Sequence, residues 1–139
     1  MIPKPKIKPI GKLKKDVWKV FSEYIRLRDC LKTRGTPDFG NCVTCSRLVR
    51  RTEADAGHFI GRSHGATLFD ERNVHLQCKR CNITGEVLKY RRAIIELYGE
   101  GVDVELEDKA TETKKFSRQE LEALKVEFTR KVKELKEGM

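Results

Sequence analysis

Two cysteine pairs constrain this chain more than any other feature. Cys42-Val43-Thr44-Cys45 and Cys78-Lys79-Arg80-Cys81 are both C-x-x-C knuckles. Two intervening residues let both thiolates of a pair reach one tetrahedral ion at about 2.3 Å, and two knuckles close a four-sulfur shell. The spacing predicts structural zinc (Zn2+) on Cys42, Cys45, Cys78 and Cys81. A closed shell has no open position for a substrate, so this ion is not a catalyst. Residues 46–77 lie between the pairs, more than a simple zinc ribbon needs, so something is inserted there. The fifth cysteine, Cys30, is left over and reads as a small packed hydrophobe. A metal that contributes folding free energy suits a chain with 38% hydrophobic and 37% charged residues.

The same composition narrows the partners and the compartment. A net charge of +9 points to an anionic partner, and nucleic acid is the commonest. No apolar run approaches the ~18–20 residues of a membrane span. Met1 to Lys15 does not read as a secretory leader. The expectation is an intracellular, cytoplasmic protein whose cysteines are thiols or ligands rather than disulfides.

The chain divides into four stretches. Residues 1–15 hold Lys4, Lys6, Lys8, Lys12, Lys14 and Lys15 among Pro3, Pro5, Pro9 and Gly11, which reads as a flexible basic arm. Residues 16–99 form the main unit. A helix is predicted from Asp16 to about Leu31, with Val17, Trp18, Phe21, Tyr24 and Ile25 at helical spacing on a core-facing stripe. Leu48–Arg51 and Ala54–Ile60 are expected to pair as a hairpin, residues 61–77 to form a loop, and a second helix to run from near Asn82 to Tyr98. Residues 100–116 read as an acidic connector. Ser117 and Glu120 carry the capping-box spacing, opening a last helix from about Arg118 to Lys136 within 117–139.

The insert and its borders hold chemistry-bearing residues. All three histidines, His58, His64 and His75, lie there with Asp55, Asp70, Glu71 and Asn73, and Asn82 follows the last cysteine. Phosphodiester hydrolysis needs a general base near neutral pKa, for which His is the usual choice. It also needs a divalent cation to neutralise developing charge and a few oxygen ligands to hold that cation. One His with an Asp and an Asn supplies those parts, although residue types alone leave a site and mere loop decoration equally open. Arg47, Arg50, Arg51, Arg62, Lys79, Arg80, Lys89, Arg91 and Arg92 surround this stretch and are candidate phosphate contacts.

Ala56-Gly57-His58-Phe59-Ile60 followed by Asn73-Val-His-Leu-Gln-Cys78-Lys-Arg-Cys81-Asn82 resembles an HNH (ββα-metal) endonuclease core. More narrowly, Glu53–Ile60, His64, Phe69–His75 and Gln77–Asn82 resemble the phage NinG/Rap recombination proteins, as do the Val17–Arg28 helix and Tyr98-Gly-Glu-Gly. That resemblance implies an α+β fold: a small zinc-stapled ββα-metal core flanked by N- and C-terminal helices. It implies a phage- or prophage-encoded endonuclease acting on Holliday junctions and other branched DNA. By similarity His58 is the general base, Asn82 a ligand of Mg2+ or Mn2+, and Asn73 a brace for the loop that holds His58. Many members carry an Asp directly before the base His, where this chain has Gly57. Asp55, two residues earlier on the same strand face, is expected to replace that ligand, with His64 the competing candidate. Two other functions stay open: a zinc-dependent DNA-binding module without catalysis, and a nicking enzyme of linear duplex. The apolar first and last helices suggest a homodimer, whose symmetry suits paired cuts in a four-way junction.

Overall fold

A computed structural model describes residues 7–139. Helix α1 (Ile10–Arg34) is followed by strands β1 (Phe39–Asn41), β2 (Leu48–Arg50), β3 (Asp55–His58) and β4 (Val74–Gln77), then α2 (Lys79–Thr84), α3 (Val87–Tyr98), α4 (Val102–Ala110) and α5 (Arg118–Glu137). The fold is α+β, with five helices and two small antiparallel sheets among the described residues. None of these helices is long and apolar enough to cross a membrane.

The strand pairing differs from the expected hairpin. β2 pairs with β1, Asn41 opposite Leu48, so the Cys42–Cys45 knuckle is the turn of that hairpin. β3 pairs instead with β4, Asp55 opposite Gln77 and His58 opposite Val74. β4 lies in the stretch expected to be loop. All four of its residues are buried, and the polar His75 and Gln77 hid it from a reading based on hydrophobic alternation.

The helices also depart from the sequence pattern in places. α1 begins at Ile10, within the stretch read as a flexible arm. Pro9 at its N-cap needs no hydrogen-bonded N–H, and Leu13 is buried beside Val17 and Leu121. Residues 1–6 lie outside the described residues. The single helix expected from Asn82 is two helices, broken where Gly85 and Glu86 both have positive φ (84° and 36°), so Asn82 sits inside the short α2. The expected acidic connector contains α4, anchored by buried Leu106 and Asp103. The last helix matches its expected span, and Ser117 and Glu120 make the reciprocal capping box.

α1 is the centre of the packing. Phe21 and Ile25 are fully buried against Ala56 and Val74 of the β3–β4 sheet and Phe128 of α5. Phe21 and Phe128 meet edge to face at 4.7 Å. The apolar faces of the first and last helices, expected to meet a second copy, therefore cover one another within the chain.

The outer edge of β4 is closed by α1 side chains. Asp29 Oδ2 accepts the Leu76 N–H at 2.8 Å. Arg28 donates to the carbonyls of Glu71 and Val74, both at 3.0 Å, and pairs with Asp29 Oδ1 at 2.8 Å. The Val43 N–H takes the Leu76 carbonyl at 2.9 Å, tying the first knuckle to the same edge. Replacing Asp29 with Ala leaves a strand N–H and a largely buried guanidinium without a partner. Urea unfolding of Asp29→Ala should show a loss of about 3–5 kcal/mol; a loss below about 1 kcal/mol would remove this edge from the list of structural determinants.

Candidate functional site

The four knuckle cysteines converge. Their sulfurs all lie within 4.8 Å of one another, close enough to hold a structural metal ion such as zinc. Sulfurs bound tetrahedrally at 2.3 Å are about 3.8 Å apart, and Cys45 Sγ and Cys78 Sγ are 3.8 Å apart. Burial pushes the Cys42 thiol up, but the Thr44 hydroxyl and the N–H groups of Cys78, Cys45 and Thr44 outweigh it and bring it to about 6. Burial, with the Cys78 and Cys45 thiols alongside, pushes Cys81 up to about 12. A bound cation supplies the charge that lets all four ionise together. Cys30 is fully buried beside Ala54 and Leu76, a packed hydrophobe as expected.

His58 ends β3 and stacks on Trp18 of α1, ring centroids 4.9 Å apart and planes 23° from parallel. Arg62 lies on Trp18 at 4.1 Å. Burial, with a smaller contribution from Arg62, outweighs the opposing contact with Leu68 and lowers the His58 pKa to about 4. The ring is therefore neutral at pH 7. Its Nε2 lies 3.1 Å from the Leu68 carbonyl. A carbonyl only accepts, so Nε2 carries the proton and Nδ1 keeps its lone pair.

Asn73 is fully buried and holds the loop after β3. Its Oδ1 accepts the Ile60 N–H at 2.8 Å, and its Nδ2 donates to the carbonyls of Ile60 and Thr67 at 3.0 and 3.1 Å. These bonds tie Ile60 and Thr67 to the start of β4.

Asp55 and Asn82 meet. Asn82 Nδ2 donates to Asp55 Oδ2 at 3.1 Å, and Lys79 Nζ donates to Asp55 Oδ1 at 2.9 Å. They line one groove with Trp18, Ser22, Arg26 and Arg62. His64 does not line it. Its Nδ1 donates to the Ala110 carbonyl at the end of α4, 3.3 Å away, so the structure does not bring this candidate ligand to Asp55 and Asn82. His75 is buried beneath the site. Tyr90 donates its hydroxyl to the Gly57 carbonyl at 2.6 Å, so it accepts from His75 Nδ1 at 3.1 Å, leaving Nε2 to accept from Tyr98 at 2.7 Å. Burial holds His75 down at about 3.

The candidate phosphate contacts do not all remain free. Arg91 is engaged by Asp103 at 2.6 Å and by Glu107, linking α3 to α4, and Arg51 Nε donates to the Pro37 carbonyl at 2.8 Å. Lys89 lies 3.7 Å from Glu86, and Arg50 lies over Phe39 at 5.6 Å. Arg47, Arg62, Arg80 and Arg92 are exposed. Two polar side chains, Arg26 lining the groove and Gln77 beside it, were not among the candidate site residues. Arg26 follows Trp18 and Ser22 at four-residue helical spacing, a signal for one shared face. Gln77 sits on the unrecognised β4.

Comparison with known proteins decides the family. The sequence matches the family described as Bacteriophage Lambda NinG protein over residues 1–138. The chain belongs to the NinG family. It is 32% identical to the protein ninG of Salmonella phage P22 over 135 residues, covering 95% of this chain and 62% of that protein. It is 30% identical over 133 residues to the ninG proteins of Escherichia phage 933W and Escherichia phage lambda, covering 94% of this chain and 61% and 60% of theirs. The chain thus spans about three-fifths of the length of these NinG relatives. No solved structure matches.

Two tests follow from the site. Cys78→Ser should lose the bound metal and unfold the insert, read as a lower zinc content and a collapsed thermal transition; retained stoichiometric zinc would contradict the four-thiol site. The second concerns pH. His58 and His75 bind protons only below about 4 and 3 when folded, but near 6.5 when unfolded. Their contribution to stability is complete above pH 6.5 and is lost as pH falls through that window. Between pH 6.5 and 5 unfolding should take up protons at both, and His58→Gln should flatten that slope by about one proton.

Proposed function

We propose that this NinG-family chain is a Mg2+- or Mn2+-dependent endonuclease of branched DNA in phage recombination, built on an HNH core. The observation that carries this reading is the Asp55–Asn82 contact in a groove walled by Trp18, on which a neutral His58 with a free Nδ1 lone pair is stacked. Asp55 and His58 lie on β3 and Asn82 on α2, and β4 runs between these two elements in the chain. His58 is the general base toward water at Nδ1. Its Nε2 bond to Leu68 and the Trp18 stack hold the ring, and burial keeps it unprotonated at neutral pH while making it a weaker base. Asn73 keeps the His58 loop in place. Asp55 and Asn82 offer hard oxygen donors that fit a divalent cation. Such a cation, when bound, neutralises charge on the phosphate. Arg62, exposed on the same groove, suits the phosphate backbone, while Arg26 beside it is bonded to the Ser22 and Arg51 carbonyls. The four-thiol centre holds the β1–β2 turn beside the start of α2 and takes no part in the chemistry.

One observation favours a DNA-binding module without catalysis: the Lys79 ion pair already satisfies Asp55. Paired cuts in a four-way junction would need two copies, and the apolar faces of α1 and α5 are not available for that contact.

Cleavage of labelled four-way, fork, flap and linear substrates in Mg2+ or Mn2+ tests the reading. Wild type should cut branched substrates in preference to linear duplex. His58→Ala should lose about 10²–10⁴-fold in rate while binding DNA as wild type does. Cutting unchanged in His58→Ala removes the base assignment. No cutting by wild type in either metal favours the binding module, and equal cutting of linear duplex favours the nicking enzyme.

A further inference from the structure

Gly57 lies where two side-chain oxygens converge. A Cβ built on it would fall 1.9 Å from Gln77 Oε1 and 3.1 Å from Asn82 Oδ1. The first distance is far inside van der Waals contact, so the glycine is what admits the Gln77 amide. Gln77 stands directly opposite Asp55 in the β3–β4 register, on the same face, and is only 1% exposed.

The amide's orientation follows from its neighbours. Nε2 donates to Thr44 Oγ1 at 3.2 Å, and Thr44 Oγ1 lies 3.3 Å from Cys42 Sγ. A metal-bound thiolate only accepts, so Thr44 gives its proton to Cys42 and its lone pair to Gln77. That leaves Gln77 Oε1 facing Gly57 and Asn82. Asn82 is oriented in turn by its donation to Asp55. Neither amide oxygen receives a hydrogen bond from the described residues. Each keeps a lone pair open, and two converging acceptors repel unless a positive group stands between them.

We propose that Gln77 Oε1 is a ligand of the divalent cation, alongside Asn82 Oδ1 and the Asp55 carboxylate. The proposal rests on the cation-dependent reading above and names the ligand that stands in for a side chain at Gly57. Neutral amide and carboxylate oxygens are the donors that Mg2+ and Mn2+ favour. Lys79, largely exposed, holds Asp55 in the absence of the cation and can swing to solvent when one binds.

Titration of Mn2+ into the zinc-loaded full chain, followed by calorimetry and by the electron paramagnetic signal of bound Mn2+, tests this without reference to cleavage. Wild type should bind one Mn2+. Gln77→Leu, which keeps the volume and removes the oxygen, should weaken binding about tenfold or more while retaining stoichiometric zinc. Gly57→Ala should weaken it as well, by displacing the amide. Gln77→Glu keeps an oxygen and adds charge, and should bind at least as tightly as wild type; it also serves if Gln77→Leu fails to hold zinc. Wild-type affinity in Gln77→Leu, with loss in Asn82→Ala, overturns the role of Gln77 and leaves the cation site standing. Weaker binding by a zinc-loaded Gln77→Glu chain also overturns it. Absence of Mn2+ binding by wild type overturns both.

Discussion

The closure of β4's outer edge by Arg28 and Asp29 is the interaction on which this fold depends. A two-stranded hairpin has one free edge on each strand, and an isolated hairpin is at best marginally stable in water. Here α1 supplies a carboxylate for the Leu76 N–H and a guanidinium for the Glu71 and Val74 carbonyls. The two side chains are neighbours on one helix and are paired with each other, so they act as a single clamp. With the Val43 N–H on the same edge, the strand is bonded on both sides and buried on both faces. α1 thereby does for β4 what a third strand would do.

Everything catalytic in the proposed reading hangs on that strand or on what it fixes. β4 sets the register of β3, which places Asp55 opposite Gln77 and His58 at the strand's end. It follows directly on Asn73, whose amide ties down the loop behind His58, and it leads into Cys78 and α2, which carries Asn82. The buried chain from Tyr98 through His75 and Tyr90 to the Gly57 carbonyl pins the opposite strand from below. The thiol centre and the groove are joined through Thr44 and Gln77. The structural metal site and the proposed reaction site therefore share one hydrogen-bonded wall, although they share no ligand.

Much of this could be read from the residues in order. The paired C-x-x-C spacing predicts one four-sulfur cluster because two residues are the reach of a knuckle, and the sulfurs do converge. The Ser117–Glu120 box predicts the start of α5 because capping is a local matter of backbone N–H groups. Less legible were the elements decided by tertiary burial. β4 reads as loop because His75 and Gln77 are polar, and they are buried only because Tyr90, Tyr98 and Thr44 stand ready to bond them. α4 reads as a solvated connector because it holds as many acids as apolar residues, yet Leu106 finds a pocket and Asp103 an Arg91 partner. Arg91 and Arg51 read as phosphate contacts because sequence shows charge and not the groups already bonded to it.

The sequence by itself determined membership in the NinG family, the four-thiol centre, the capped last helix and the residues from which a hydrolytic site could be drawn. These rest on local spacing and on residue identity, which a chain carries wherever it folds. The tertiary structure alone decided which strand pairs with which, that His58 lies neutral against Trp18, that His64 turns to α4, and that Gln77 occupies the space left by Gly57. Those are outcomes of non-local packing. Each depends on a partner tens of residues away, and on burial that sets the protonation and orientation of a side chain only after the chain has closed around it.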